Sequence, residues 1–264
     1  MSRIVVWSLV AALSLAACTA SSPTESSPEP TAATDAEVVV VDVGREGITT
    51  SETASQTVRL VTLGDAYTHG TETNAPRRDS WPAQLAESLE RSGYSVRLFN
   101  LAEPSVSSIT LLEEQLGQVE SFDPDVVTLQ VGANDIITGD YASQHDYGDN
   151  ITVIFDELLT ILPAQRILAI TTPDHTLTEW GQRYGSTDVG RALVGEVNAT
   201  LRDVARERGI EVIDIGPVNA LAAEDTTMVV QGEPPLPYPT AKQYAGWAEI
   251  IGPYVHDALS TLEP

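Results

Sequence analysis

Val58-Arg59-Leu60-Val61-Thr62-Leu63-Gly64-Asp65-Ala66-Tyr67-Thr68-His69-Gly70 joins a short apolar run to a polar turn bounded by glycines. Val58 to Leu63 reads as a buried strand, and Gly64-Asp65 at its exit reads as a tight turn into a helix. A strand-to-helix turn of this kind usually presents a reactive side chain. Its third position here carries only the methyl group of Ala66.

Downstream, short apolar runs alternate with helical spacings. Val96 to Phe99, Val126 to Val131, Ile167 to Thr171 and Ile210 to Ile215 read as four more strands. Between them, Ser80 reads as a cap for a helix carrying Leu85 and Leu89, and Leu111, Leu112, Leu116 and Val119 mark another. Ile151 to Leu162, Val194 to Arg208 and Ala241 to Leu259 complete the set. Strands alternating with helices call for an α/β fold with a mostly parallel sheet covered on both faces. Functional groups then gather beyond the carboxyl ends of the strands.

The N-terminus has Arg3, an apolar stretch from Ile4 to Leu15 and small residues before Cys18. That is the layout of a secretory signal, with an apolar run too short for a comfortable membrane span. Leu15-Ala16-Ala17-Cys18 resembles the lipobox of bacterial lipoproteins, and the resemblance implies cleavage before Cys18 and lipid attachment to its sulfur. Cys18 is the sole cysteine, so no intramolecular disulfide forms. From Thr19 to Glu37 the chain is rich in Ser, Thr, Pro and acid, too poor in apolar surface to offset the entropy of ordering.

The expected layout is thus a signal peptide over 1–17, a lipidated cysteine with a disordered tether over 18–37, an accessory segment over 38–56 containing Val38 to Val43, and a folded domain over 57–264. The expected location is the outer side of the bacterial cytoplasmic membrane, with the lipid as the only membrane contact. A formal charge of −24 excludes nucleic acid as a partner, since phosphate backbones demand basic surface. No metal-loop spacing and no cofactor motif stands out, and a monomer is expected.

Three segments sit at predicted strand exits: Gly64-Asp65-Ala66, Asn100-Leu101-Ala102, and Gly132-Ala133-Asn134-Asp135. Each alone is explained by turn chemistry; together they mark a site. In this order they resemble the SGNH hydrolase family, also called GDSL esterases and lipases. Thr171-Thr172-Pro173-Asp174 and Pro239-Thr240-Ala241-Lys242-Gln243-Tyr244 with Trp247 resemble later segments of the same family, so the likeness runs from about Val58 to Val255. It implies a three-layer α/β/α sandwich around a mostly parallel five-stranded sheet, flavodoxin-like in layout. It also implies acyl-ester hydrolysis by a serine, with a late Asp-x-x-His pair as orienting acid and base, and a glycine amide and an asparagine holding the oxyanion.

This chain departs from that pattern. Ala66 stands at the serine position and Ser105 at the second-block glycine, while Asn134 is retained. Counting back from Pro239-Thr240-Ala241, Tyr238 takes the histidine position and Pro235 the aspartate position; a gapped alternative gives Glu233 the acid's place. Thr68 reads as a turn residue, and His69, His145 and His175 as turn or surface residues, with His256 remote in the last helix. Ser107 and Ser108 lie on the oxyanion side, where a serine is badly placed to attack.

The resulting expectation is a hydrolase-fold protein without hydrolase activity. Asn134, Tyr238, Tyr67 and Ser105 would line a cleft for an acylated or acetylated carbohydrate or lipid. Two alternatives stand beside it: an active carboxylic ester hydrolase with a displaced catalytic set, and a structural or partner-binding lipoprotein.

Overall fold

The three-dimensional structure, a computed structural model, describes residues 39–41, 57–137, 144–184 and 186–262, with the backbone alone for 39–41, 144, 145 and 184. The readings on residues 1–37, Cys18 among them, and on most of the accessory segment fall outside these residues. Everything described belongs to the unit from Ala36 to Pro264.

Six strands lie among the described residues: β1 (Val39–Val41), β2 (Thr57–Gly64), β3 (Ser95–Asn100), β4 (Val126–Gln130), β5 (Ile167–Ile170) and β6 (Glu211–Ile213). Their order in the sheet is β1-β3-β2-β4-β5-β6. The five strands read from the sequence are mutually parallel, with Leu60 beside Leu98 on one side and Val126 on the other. Val39–Val41 adds an antiparallel sixth strand, pairing Val39 with Asn100 and Val41 with Leu98. The accessory segment therefore contributes to the sheet.

Nine α-helices are described: α1 (Ala66–His69), α2 (Pro76–Asp79), α3 (Trp81–Arg91), α4 (Ser108–Glu114), α5 (Ala133–Ile137), α6 (Gln144–Ile161), α7 (Thr187–Glu207), α8 (Gly216–Leu221) and α9 (Ala241–Leu259). Successive strand side chains point to opposite faces, so β2 serves two cores. Val61 and Leu63 pack with Leu111, Ile154, Phe155 and Val197 from α4, α6 and α7. Val58 and Leu60 pack with Trp81, Leu85, Leu89, Trp247 and Ile251 from α3 and α9. These two cores make the three-layer sandwich. Each fully buried Leu, Ile or Phe contributes about 1.5–3 kcal/mol relative to exposure.

The helices differ from expectation mostly at their ends. α9 has the expected bounds because Tyr244, Trp247, Ile251, Val255 and Ala258 hold one apolar stripe. α7 begins seven residues before Val194, where Ser186 accepts a hydrogen bond from the Val189 amide as its cap. Its polar first turns, broken by Gly190, conceal it from an apolar-spacing reading. The helix read over Leu111 to Val119 divides: α4 is capped at Gln115, and Leu116–Phe122 continues as a tighter 3-10 helix. His145 belongs to α6 rather than to a loop.

Candidate functional site

The turn after β2 is assembled from several parts of the chain. Gly64 donates its N–H to the Gln115 side-chain oxygen at 3.0 Å and accepts from the Gln115 amide at 2.8 Å. A Cβ at Gly64 would come within 2.5 Å of the Gln130 carbonyl oxygen, which is why only glycine fits there. Asp65 then caps α1, accepting the Tyr67 N–H at 2.9 Å through Oδ1. Thr68 donates its hydroxyl to the Gln130 side-chain oxygen at 3.1 Å, and Trp81 Nε1 donates to the same atom at 3.2 Å. Asn100 Nδ2 donates to the Thr68 carbonyl, while Asn100 Oδ1 accepts from Thr62 Oγ1 and the Ala102 amide.

The second and third tips are joined to each other. Asn134 Nδ2 donates to the Val106 carbonyl at 2.9 Å, so part of its donor capacity serves the neighbouring loop. Asp135 accepts from the Ser108 amide and hydroxyl, and Asn150 donates to that hydroxyl. Ser107 caps α4. Ser105, exposed at the loop apex, has a φ of 65°. A serine thus occupies a left-handed backbone that glycine takes freely.

The fourth wall is a hairpin before α9. Val229 and Pro239 form an isolated bridge, Val230 donates to the Tyr238 carbonyl at 2.9 Å, and Thr240 donates to the Met228 carbonyl at 2.8 Å. This fixes Tyr238, half-buried, with its ring centroid 6.0 Å from that of Tyr67. Tyr67 in turn lies 6.2 Å from Trp247, and Trp247 meets Tyr244 edge to face at 5.3 Å. Tyr67 is only 4% exposed, so it is a core residue more than a lining one. Pro235 is half-buried and Glu233 exposed on the same hairpin.

Beneath Ala66 lies an unusual polar interior. Asp65 is 1% exposed, and burial pushes its carboxyl up from 3.8 to about 7 against the Tyr67 N–H, with the charge of Asp135 adding to the rise. Its Oδ2 finds no hydrogen-bond partner among the described residues, nor do Tyr244 Oη, Trp247 Nε1 and Gln243 Oε1. Burial also raises the Tyr244 hydroxyl, helped by Tyr67, Asp65 and Tyr238.

Of the histidines whose side chains are described, His69 ends α1 and lines a cavity of about 540 Å³ with Asn100, Ala102 and Glu103. His69 Nδ1 is 3.1 Å from Thr71 Oγ1, and His256 packs against Tyr94. The expectation of a turn or surface residue at His175 needs correction in its second half. It begins a 3-10 turn capped by Asp174 but is 2% exposed, and burial lowers its pKa against the pull of Asp174. Among the described residues no group of three or more His, Cys, Asp or Glu could hold a metal ion.

The arrangement is a tight strand-to-helix elbow, capped by Asp65 and clamped by Gln115. At its centre, Ala66, 7% exposed, offers no oxygen to attack a carbonyl. Gln115 and Gln130, which hold the elbow, were not singled out by the sequence. Their roles depend on contacts 51 and 62 residues away along the chain.

Comparison with known proteins follows the same outline. A model of the GDSL-like Lipase/Acylhydrolase family matches residues 62–245. Among solved structures, a lipase/acylhydrolase from Enterococcus faecalis is similar at 17% identity and a TM-score of 0.61, covering 78% of this chain and 98% of its own. A G-D-S-L family lipolytic protein from Veillonella parvula is similar at 20% identity and a TM-score of 0.56, covering 78% and 98%. An acetyl xylan esterase from Geobacillus stearothermophilus is similar at 13% identity and a TM-score of 0.60, covering 76% and 95%. Further structures of that esterase are catalytic mutants in which a serine, an aspartate or a histidine is replaced by alanine. No curated protein matches the sequence. The match over most of the folded region shows that the chain belongs to the GDSL-like lipase/acylhydrolase family.

Proposed function

We propose that this family member has lost ester hydrolysis and serves as a lipid-anchored, extracytoplasmic protein that binds an acylated or acetylated carbohydrate or lipid. The observation that carries the reading is a pair of residues. Ala66 stands where the family resemblance places the nucleophile, and Tyr238, packed on Tyr67, stands where it places the base. A tyrosine with an ordinary pKa of about 10 does not draw a proton from an alcohol at neutral pH as an imidazole does. Loss of a serine hydrolase nucleophile or base costs on the order of 10⁶ in turnover, and losing both adds little because they act as a unit. What is left, roughly 10³ to 10⁴ over water, comes from oxyanion contacts and binding alone.

Residues 1–17 would be removed as a signal peptide, Cys18 would carry the lipid, and residues 18–37 would hold the domain clear of the membrane. The strongly negative charge favours solubility and keeps anionic headgroups at a distance. Acetylated polysaccharide is the first ligand class to try, given the likeness to an acetyl xylan esterase.

The test is turnover of p-nitrophenyl acetate and covalent labelling by a fluorophosphonate. The expected result is hydrolysis at the buffer rate and no labelled residue. A labelled serine or threonine with measurable turnover would overturn the proposal.

A further inference from the structure

Away from the elbow, a cavity of about 500 Å³ opens between the segment that follows α1 and the hairpin that precedes α9. It shares no lining residue with Ala66, Tyr67, Ser105, Asn134 or Tyr238. One wall carries Glu72, Asn74 and Asp79; the other carries Thr227, Gln231 and Lys242. The two walls are tied by Gln84, whose side-chain amide donates to the Asp79 carbonyl at 2.7 Å and to the Ala241 carbonyl at 2.9 Å. A cavity of this size, braced across its width, is within the range of small-ligand sites.

The hydrogen-bond inventory of the lining is lopsided. Thr73 spends its hydroxyl proton on the Gly70 carbonyl at 2.8 Å, Thr240 on the Thr227 carbonyl at 2.8 Å, and Thr227 on Asp225 Oδ1 at 2.6 Å. Gln231 donates its amide to the carbonyls of Thr226 and Val229. Lys242 is directed to Asp225 and Thr227 Oγ1. Each of these groups is used as a donor within the wall, so the capacity that remains is mainly acceptor capacity, hydroxyl lone pairs and the Gln231 side-chain oxygen, beside the donors of the Asn74 amide and one further Lys242 N–H.

Charge runs the same way. Lys242 is matched by Asp225, and Arg78 by Asp79, whose Oδ1 lies 2.9 Å from Arg78 Nε. Glu72 enters no ion pair among the described residues, and it is held on the rim with a left-handed φ of 66°. A non-glycine residue in that conformation is strained, and such strain gathers at ligand sites. The lining therefore presents an unmatched carboxylate and a surplus of acceptors, inside a chain of net charge −24.

We infer that this cavity binds a saccharide bearing a protonated amine, with the ammonium at Glu72 and sugar hydroxyls donating to Thr227, Gln231 and Thr240. An ammonium brings three donors and a positive charge, and a pyranose brings hydroxyl donors around its ring. Val230 and Ala241 are the apolar residues of the lining.

The test is calorimetric titration of the full chain with a glucosamine trimer and, separately, with the fully N-acetylated trimer. Saturable binding is expected for the amine, at least tenfold weaker for the acetylated form, and weaker with added salt. Glu72→Gln, at an exposed position, should lose at least tenfold in affinity while its melting temperature stays close to that of the parent. Equal binding of the two trimers, an affinity unmoved by Glu72→Gln, or no saturable binding by the folded parent would each overturn the inference. Ester hydrolysis plays no part in this readout, so its outcome is separable from the loss of catalysis.

Discussion

The rings of Tyr67 and Tyr238 lie 6.0 Å apart at an interplanar angle of 50°, so the residue that the family resemblance puts in the base position packs on the residue next to Ala66. Such a pair contributes about 0.5–1.5 kcal/mol beyond its burial. It also means that a hydroxyl restored at position 66 would meet no imidazole. Ala66→Ser alone should leave p-nitrophenyl acetate hydrolysis at the level of the parent chain, and a gain of a hundredfold or more would reveal a base elsewhere. Adding Tyr238→His and Pro235→Asp to it asks whether the scaffold still holds a triad.

Asp65 should make stability fall as pH rises. Its folded pKa of about 7 lies above the ordinary 3.8 because burial penalises the charged form. Between about pH 4 and 7 the folded state keeps a proton that the unfolded chain has released, so unfolding free energy drops through that window and levels off above it. The full drop is on the order of 4 kcal/mol. Asn caps helices as well as Asp and carries no ionisable proton. Urea titrations should therefore show Asp65→Asn gaining on the parent from pH 5 to pH 8; parallel profiles would refute the assignment.

Gly70 closes α1 with a φ of 85°, and a Cβ there would lie 2.6 Å from Ser80 Cβ. Gly70→Ala combines left-handed strain of about 1–2 kcal/mol with overpacking of a further 1–3 kcal/mol. Chemical denaturation should report a loss of about 2–5 kcal/mol. A loss below about 0.5 kcal/mol would mean that the turn yields where it is drawn as rigid.

Much of this architecture is legible in the sequence because it rests on local periodicity. Val58 to Leu63 alternates between two cores, and the stripe from Tyr244 to Ala258 marks α9 from end to end. The three strand tips were readable as Gly-Asp, Asn-Leu-Ala and Gly-Ala-Asn-Asp because turns need those residue types. Two kinds of feature stayed hidden. One is burial of single polar groups: nothing near His175 in the chain announces that Asp174, Thr176 and the N-terminal turns of α7 enclose it. The other is long-range satisfaction of backbone groups. Gln115 resembles any polar helical residue until tertiary closure brings Gly64 against it.

Gln115 supplies the sharpest test of how the elbow is held. Its side chain is 2% exposed and takes both polar groups of the Gly64 peptide, donating at 2.8 Å and accepting at 3.0 Å. In effect one amide side chain stands in for a strand partner at the point where β2 leaves the sheet. Gln115→Leu preserves bulk but takes the side-chain acceptor from the buried Gly64 N–H, at about 1–3 kcal/mol, and leaves the Gly64 C=O only the Glu103 N–H at 3.3 Å, a further loss of about 0.5–1.5 kcal/mol. Denaturant titration should show a loss of about 1.5–4.5 kcal/mol with an unchanged m-value. Gln115→Glu separates the two bonds, since an ionised carboxylate still accepts from Gly64 N–H but repels its carbonyl. That variant should recover part of the loss as pH falls and the carboxyl protonates, because the protonated form can again donate. A Gln115→Leu protein as stable as the parent would show that the elbow does not depend on this clamp.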